Sequence, residues 1–174
     1  LLAEIGKQDL MSVLGTMPAS FVREYPNSPL VLRAGVDGNM KLLRITGIQS
    51  DLKGAFSMRM KGEMENVLDS IKRRGTVELD MKSDKLRFLE MLADSTGNAS
   101  FTIPGGIAVS GKATMLGNDY KADINLLEGE GKLHLSANCN LFNNRYQVLL
   151  SADSMNIAHF LPKDSLRYVS ADLN

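Results

Sequence analysis

From Leu30 onward, apolar residues recur at every second position, and a period of two predicts β-strands whose sides divide between apolar and polar. Leu30, Leu32, Ala34 and Val36 alternate and run into Asp37-Gly38, a dipeptide that favours a tight hairpin turn, with a return strand from Met40 to about Ile45. A longer strand sets Phe56, Met58, Met60 and Met64 against Ser57, Arg59, Lys61 and Glu63. Val77, Leu79 and Met81 alternate with Thr76, Glu78, Asp80 and Lys82. The most regular stretch follows the break at Pro104-Gly105-Gly106. There Ile107, Val109, Gly111, Ala113 and Met115 share one side, and Gly117-Asn118 turns the chain into Tyr120, Ala122, Ile124 and Leu126. Beyond Glu128-Gly129-Glu130-Gly131 come Leu133, Leu135, Ala137, Cys139 and Leu141. Asn143-Asn144 supplies a further turn, because Asn tolerates the left-handed conformation, and Tyr146, Val148, Leu150 and Ala152 complete the run.

Before Pro29 the spacing is helical instead. Leu10, Met11, Val13, Leu14 and Met17 suit one helix, with Asp9 as its N-cap and Gly15 as its stop. Pro18 opens a second helix through Phe21 and Val22, ended before Pro26 and Pro29. Two short helical inserts are expected between strands. One covers Glu65 to Arg74 and is capped by Gly75; the other carries Leu86, Leu89 and Leu92 behind a Ser83 or Asp84 cap, before Phe101 and Ile103. The segment from Val77 to Leu89 has a faint echo from Val148 to Leu161, a hint of repeating architecture. The predicted fold is mainly β: an antiparallel meander with a helical lead-in over residues 1–29 and a β-rich trough or sandwich over residues 30–174. Val169, Ala171 and Leu173 still alternate at the last residues, so the chain reads as a piece of a longer protein, and its cut sheet edges are expected to pair with another copy.

Composition narrows the function more than the fold. A hydrophobic fraction of 44% excludes a disordered chain. Twenty Lys and Arg balance twenty Asp and Glu, which argues against a nucleic-acid partner. The single cysteine, Cys139, rules out an internal disulfide and reads as a small buried hydrophobe. No apolar run is long enough to cross a bilayer as a helix.

Catalytic chemistry finds no support. His134 and Cys139 are an odd number of residues apart on one strand, so the pleat sends them to opposite sides. His159 sits in an apolar turn. Two distant histidines and one cysteine cannot supply a metal site of the usual spacing, so no metal and no cofactor are expected. Glu128 and Glu130 point the same way as a carboxylate pair would, but read better as a solvated hairpin corner. The glycines at 105, 106, 111 and 117 form no phosphate-binding loop, and Lys72-Arg73-Arg74 reads as the basic end of the expected helix. The strand faces remain. Their apolar sides must be buried in a filled sandwich, a closed barrel, or a folded-over sheet that keeps a trough for a ligand.

Ile103-Pro104-Gly105-Gly106-Ile107-Ala108, then Gly111, Gly117-Asn118-Asp119-Tyr120 and Leu127-Glu128-Gly129-Glu130-Gly131, resemble the repetitive β region of TamB-like (translocation and assembly module) proteins of the AsmA-like superfamily. The run from Asn156 to Leu166 is similar to the Bacteroidetes version. The resemblance covers residues 75–174 well and residues 1–74 loosely. It implies a β-taco-like sheet in the periplasm, an inner-membrane anchor outside this chain, and no catalytic residues. It also implies phospholipid movement toward the outer membrane and outer-membrane protein assembly with a β-barrel partner.

On that reading the lipid-facing candidates are Val77, Leu79, Met81, Ile107, Val109, Ala113, Ala122, Ile124, Leu126, Leu133, Leu135, Ala137, Val148 and Leu150. Each buried CH₂ of a lipid tail would gain about 0.8 kcal/mol. A ten-residue strand spans about 34 Å against about 15 Å for half a bilayer core, so tails would fit unfolded. The alternative expectation is a structural or interaction module with a dry sandwich core and no ligand.

Overall fold

The computed structural model describes residues 1–93, 103–156 and 168–173. Its framework is one sheet of ten strands in which every strand lies beside its neighbours in sequence. β1 (Leu2–Ile5) is followed by helices α1 (Lys7–Leu14) and α2 (Ala19–Glu24). Next come β2 (Leu30–Asn39), β3 (Leu42–Leu52), β4 (Phe56–Glu65) and β5 (Arg74–Ser83). Helix α3 (Arg87–Ala93) leads to β6 (Ile107–Leu116), β7 (Asp119–Glu128), β8 (Gly131–Asn140), β9 (Arg145–Asn156) and β10 (Tyr168–Leu173). All pairings are antiparallel. β1 bonds only β2 and β10 bonds only β9, so the sheet stays open. The fold is the mainly β antiparallel meander that the alternation predicts, with a helical start and a small helical insert.

An antiparallel meander sends alternate connections to opposite ends of the sheet, and the two ends differ. At one end lie α1, α2, α3 and the short turns at Lys53-Gly54 and Gly129-Glu130. Here is the dry core: Phe21, Tyr25, Leu52, Ala55, Leu86 and Phe88 are buried together. Leu10, Met11, Met17, Leu30, Phe56 and Met81 pack around them. Phe21, Tyr25 and Phe88 form a closed aromatic triangle with ring centroids 5.2 to 5.8 Å apart, a favourable tilted and edge-on packing. Leu30, Leu52, Phe56 and Met81 share one face of the sheet by register, so the helices cover the end of that face over β2–β5. Polar tethers fix the cap. The Lys7 Nζ donates to the Tyr25 carbonyl at 2.8 Å, and the Ile103 N–H donates to the buried Glu90 carboxylate at 2.6 Å.

Several details differ from the sequence reading. β1 precedes the first helix, whose N-cap is Gly6 without any side-chain bond, not Asp9. Gly15 does end it, at φ 76°, and Pro18 does open the second helix. The expected hairpin at Asp37-Gly38 lies further on. Both residues are still paired, with Arg44 and Leu43, and the chain turns at Met40-Lys41 because Asn39 Oδ1 accepts the N–H groups of Lys41 and Leu42.

No helix forms between Glu65 and Arg74. Asn66 takes a left-handed φ of 50°, and Asp69 Oδ1 captures the N–H groups of Ile71 and Lys72, a local turn that competes with helical bonding. The second insert is a helix, but it starts at Arg87; Ser83 still ends β5, so neither Ser83 nor Asp84 stands at its N-cap and Leu86 precedes it. In the echo of the Val77–Leu89 segment, Ser154–Asn156 close β9, while Ile157 to Leu161, including His159, lie outside the described residues, as does Phe101.

Candidate functional site

Residues that pair directly across an antiparallel ladder project to the same side. The register therefore assembles one apolar field. Its central row is Met60–Leu79–Gly111–Ile124–Leu135–Leu150, one residue from each of β4 to β9. The row toward the helix-capped end is Met58–Met81–Val109–Leu126–Leu133–Ala152. The row on the other side is smaller in volume: Gly62–Val77–Ala113–Ala122–Ala137–Val148. Ile107, one step further toward the capped end, shares this side. Six strands at about 4.8 Å spacing make the field about 24 Å wide.

All the candidates named from the sequence, from Val77 to Leu150, stand in this field. None of them is buried: Ala113, Ile124 and Val148 are exposed, Val148 by 52%, and the others are half-buried. The single sheet has no second layer over β6–β9 among the described residues. The described residues thus form neither a filled sandwich nor a closed barrel. Depressions also lie on the polar face around Glu63, Arg74, Thr114 and Lys121 and beside the helices. A molecule on the apolar field would rest on an open surface.

Sequence reasoning left out the part of the field contributed by β3 and β4. Leu43 and Ile45 face the field, but so do Ile48, Ser50 and Leu52, because the register shifts by one residue between Ile45 and Ile48. That bulge, at Thr46-Gly47, switches the parity of the alternation and hides the strand from a period-two scan. Met58 and Met60 were visible as alternating residues, and the pairing now places them beside Met81 and Leu79.

The opposite face is charged and laddered. Glu78 sits between Lys61 and Lys112 at 3.1 and 3.2 Å. Those two ammonium groups hold its carboxyl below the usual carboxylate range. Arg44 pairs with Glu63, and Arg74 with Glu65. His134 lies on this face against Asn125 Oδ1 at 2.9 Å. Cys139 is on the other face, half-buried between Tyr120 and Tyr146.

Glu128 and Glu130 do not act as a pair. Glu128 ends β7 facing the apolar side and is buried, whereas Glu130 is exposed in the turn, because the two-residue hairpin interrupts the alternation. The Lys72-Arg73-Arg74 cluster ends no helix; Arg73 instead reaches across to the next turn. Among the described residues no group of histidine, cysteine and carboxylate side chains is placed to hold a metal ion, and no helix is long and apolar enough to cross a membrane. No family model, curated protein or solved structure matches the chain.

Proposed function

We propose that the chain is a lipid-holding segment of an envelope-spanning periplasmic protein of the TamB-like kind, in which phospholipid tails lie on the apolar field. One observation carries this reading: the described residues leave most of a register-coherent apolar surface six strands wide without a second layer, in a chain that does form a dry core elsewhere. The exposed field is too continuous for scattered surface hydrophobics, and a large apolar patch on a folded domain marks a binding surface.

Tails laid across the strands would follow the low row from Gly62 to Val148, between higher rows of Leu, Ile, Met and Tyr. Headgroups would remain in water at the sheet margin. The surface is non-directional, so it holds or passes a lipid without driving it. Inner-membrane anchorage through a segment outside this chain, delivery to the outer membrane and a β-barrel assembly partner belong to the same proposal and rest on the resemblance alone.

The test is photo-crosslinking of phospholipid in the full-length protein, with native mass spectrometry of protein purified from membranes. Lipid adducts are expected from a photoreactive residue at Val109 and at Leu135; the first should disappear when Leu135→Glu is added, and the second when Val109→Glu is added. A clean unliganded mass together with no adduct at either position overturns the reading in favour of a structural module.

A further inference from the structure

The end of the sheet opposite the helices is built from four successive turns, after β2, β4, β6 and β8, and neighbouring turns are bonded to one another. Asn66 and Val67 N–H groups donate to the Lys41 and Met40 carbonyls at 2.9 and 3.1 Å. The Gly117 N–H donates to the Arg73 carbonyl at 2.7 Å, and Arg73 Nε returns a bond to the Gly117 carbonyl at 3.0 Å. The Leu141 N–H donates to the Asn118 carbonyl at 3.0 Å. These links make a continuous band across the four turns, spanning about 29 Å for six strand spacings.

This rigid band holds large apolar side chains in solvent. Phe142 is 84% exposed, Leu68 and Ile71 are each 81% exposed, and Met40 and Leu141 are exposed beside them. Such residues normally leave turns to Gly, Asn, Asp and Ser. The turns at the capped end obey that norm, with Lys53-Gly54 and Gly129-Glu130. Basic residues accompany the apolar tips. Lys41 follows Met40, Lys72 follows Ile71, and Arg145 lies three residues past Phe142.

The acids nearby are mostly engaged. Asp69 caps its own turn, Glu65 pairs with Arg74, and Asp119 accepts from Asn140, leaving Asp37 as the exception. Lys41 and Arg145 form no ion pair among the described residues. Lys72 lies 3.9 Å from Asp69, so among the described residues Lys41 and Arg145 are the unpaired cations beside the tips. Apolar tips flanked by such cations match the interface of a bilayer carrying anionic headgroups, where the rings and aliphatic groups enter the acyl boundary and the cations meet phosphate.

We infer that this rim is a membrane-docking edge, which sets the strands upright on a lipid surface. The surface involved is separate from the apolar field, so the inference stands or falls independently of the proposed lipid-holding role. The sequence has no tryptophan, so Phe142→Trp in the full chain gives a single reporter at the rim. Adding vesicles of mixed phosphatidylcholine and phosphatidylglycerol should shift its emission to the blue and allow quenching by brominated lipid, more strongly than with phosphatidylcholine alone.

In flotation, Leu68→Ser combined with Phe142→Ser should lower vesicle binding by at least about tenfold. Both side chains are solvent-exposed, so the melting temperature should not move. Leu135→Glu, on the apolar field, should float as the unaltered chain does. An unshifted emission from the Phe142→Trp reporter, with no flotation, overturns the inference. So does flotation retained by the double serine variant but lost in Leu135→Glu, which would assign membrane contact to the field. Self-association in the absence of lipid that the double serine variant abolishes, without flotation, overturns it in favour of a second copy.

Discussion

The corner of the sheet under the helices and the field over β6–β9 are made from the same alternating pattern, yet one is a dry core and the other an open surface. Leu52 and Leu135 both stand on the apolar side of a central strand. Leu52 is 1% exposed in a cluster with Phe21 and Phe88, whereas Leu135 is half-buried and meets only sheet neighbours among the described residues. Alternation determines which side of a ribbon is apolar. What covers that side is decided by the segments between strands, and among the described residues those segments reach over β2–β5. Among the described residues the enclosed packing is therefore concentrated at one corner.

The comparison is most exposed to failure at its strongest point. Leu52→Ala should lower unfolding stability by about 3 kcal/mol in urea titrations, because the cavity it leaves is enclosed. Next in size is Arg73→Ala, which removes the bonds to the Gly117 carbonyl and Asn118 Oδ1 and the stacking over Tyr120 at 5.6 Å. A loss of about 1 to 2 kcal/mol is expected, with faster amide exchange confined to the turns of the rim. Leu135→Ala should cost only about 1 kcal/mol, since the residue already meets solvent. If Leu52 and Leu135 give equal losses in the same titration, the field is covered in solution and the contrast between the two regions fails.

The smallest effect belongs to the polar face. Glu78 is held below the normal carboxylate range by Lys61 and then Lys112, so its folded form favours the charged state. Its contribution is present above the unfolded carboxylate pKa and fades as pH falls through the lower folded value. Glu78→Gln should therefore melt slightly earlier than the parent at neutral pH, and the difference should vanish in acid and shrink in high salt. A difference that persists in acid would mean the residue acts by packing instead.

The sequence made the strands of β4 to β9 legible almost residue by residue, because their alternation is unbroken and their turns carry Gly117-Asn118, Gly129-Glu130 and Asn143-Asn144. Asn144 takes the left-handed φ of 53° that its type suggests. Legibility failed where a local side chain overrode the pattern. Asn39 moved the first hairpin, Asp69 replaced a helix with a turn, and an extra residue at Thr46-Gly47 masked half of β3. The rim was invisible for another reason. Met40, Leu68, Ile71 and Phe142 fit no period, and only the cross-turn hydrogen bonds reveal that they stand at one end.

Because each strand hydrogen-bonds only to its neighbours in sequence among the described residues, the sheet behaves like decking laid plank by plank. Two planks and their connection can be added or removed without rewiring the others, as in solenoid repeats. A single plank cannot, for it reverses the heading of every later strand. The Phe142 turn would then emerge beside the helices, and the Gly129-Glu130 turn would join the greasy margin. Natural length variants of this chain should therefore differ by hairpins, in steps of about 10 Å along the sheet.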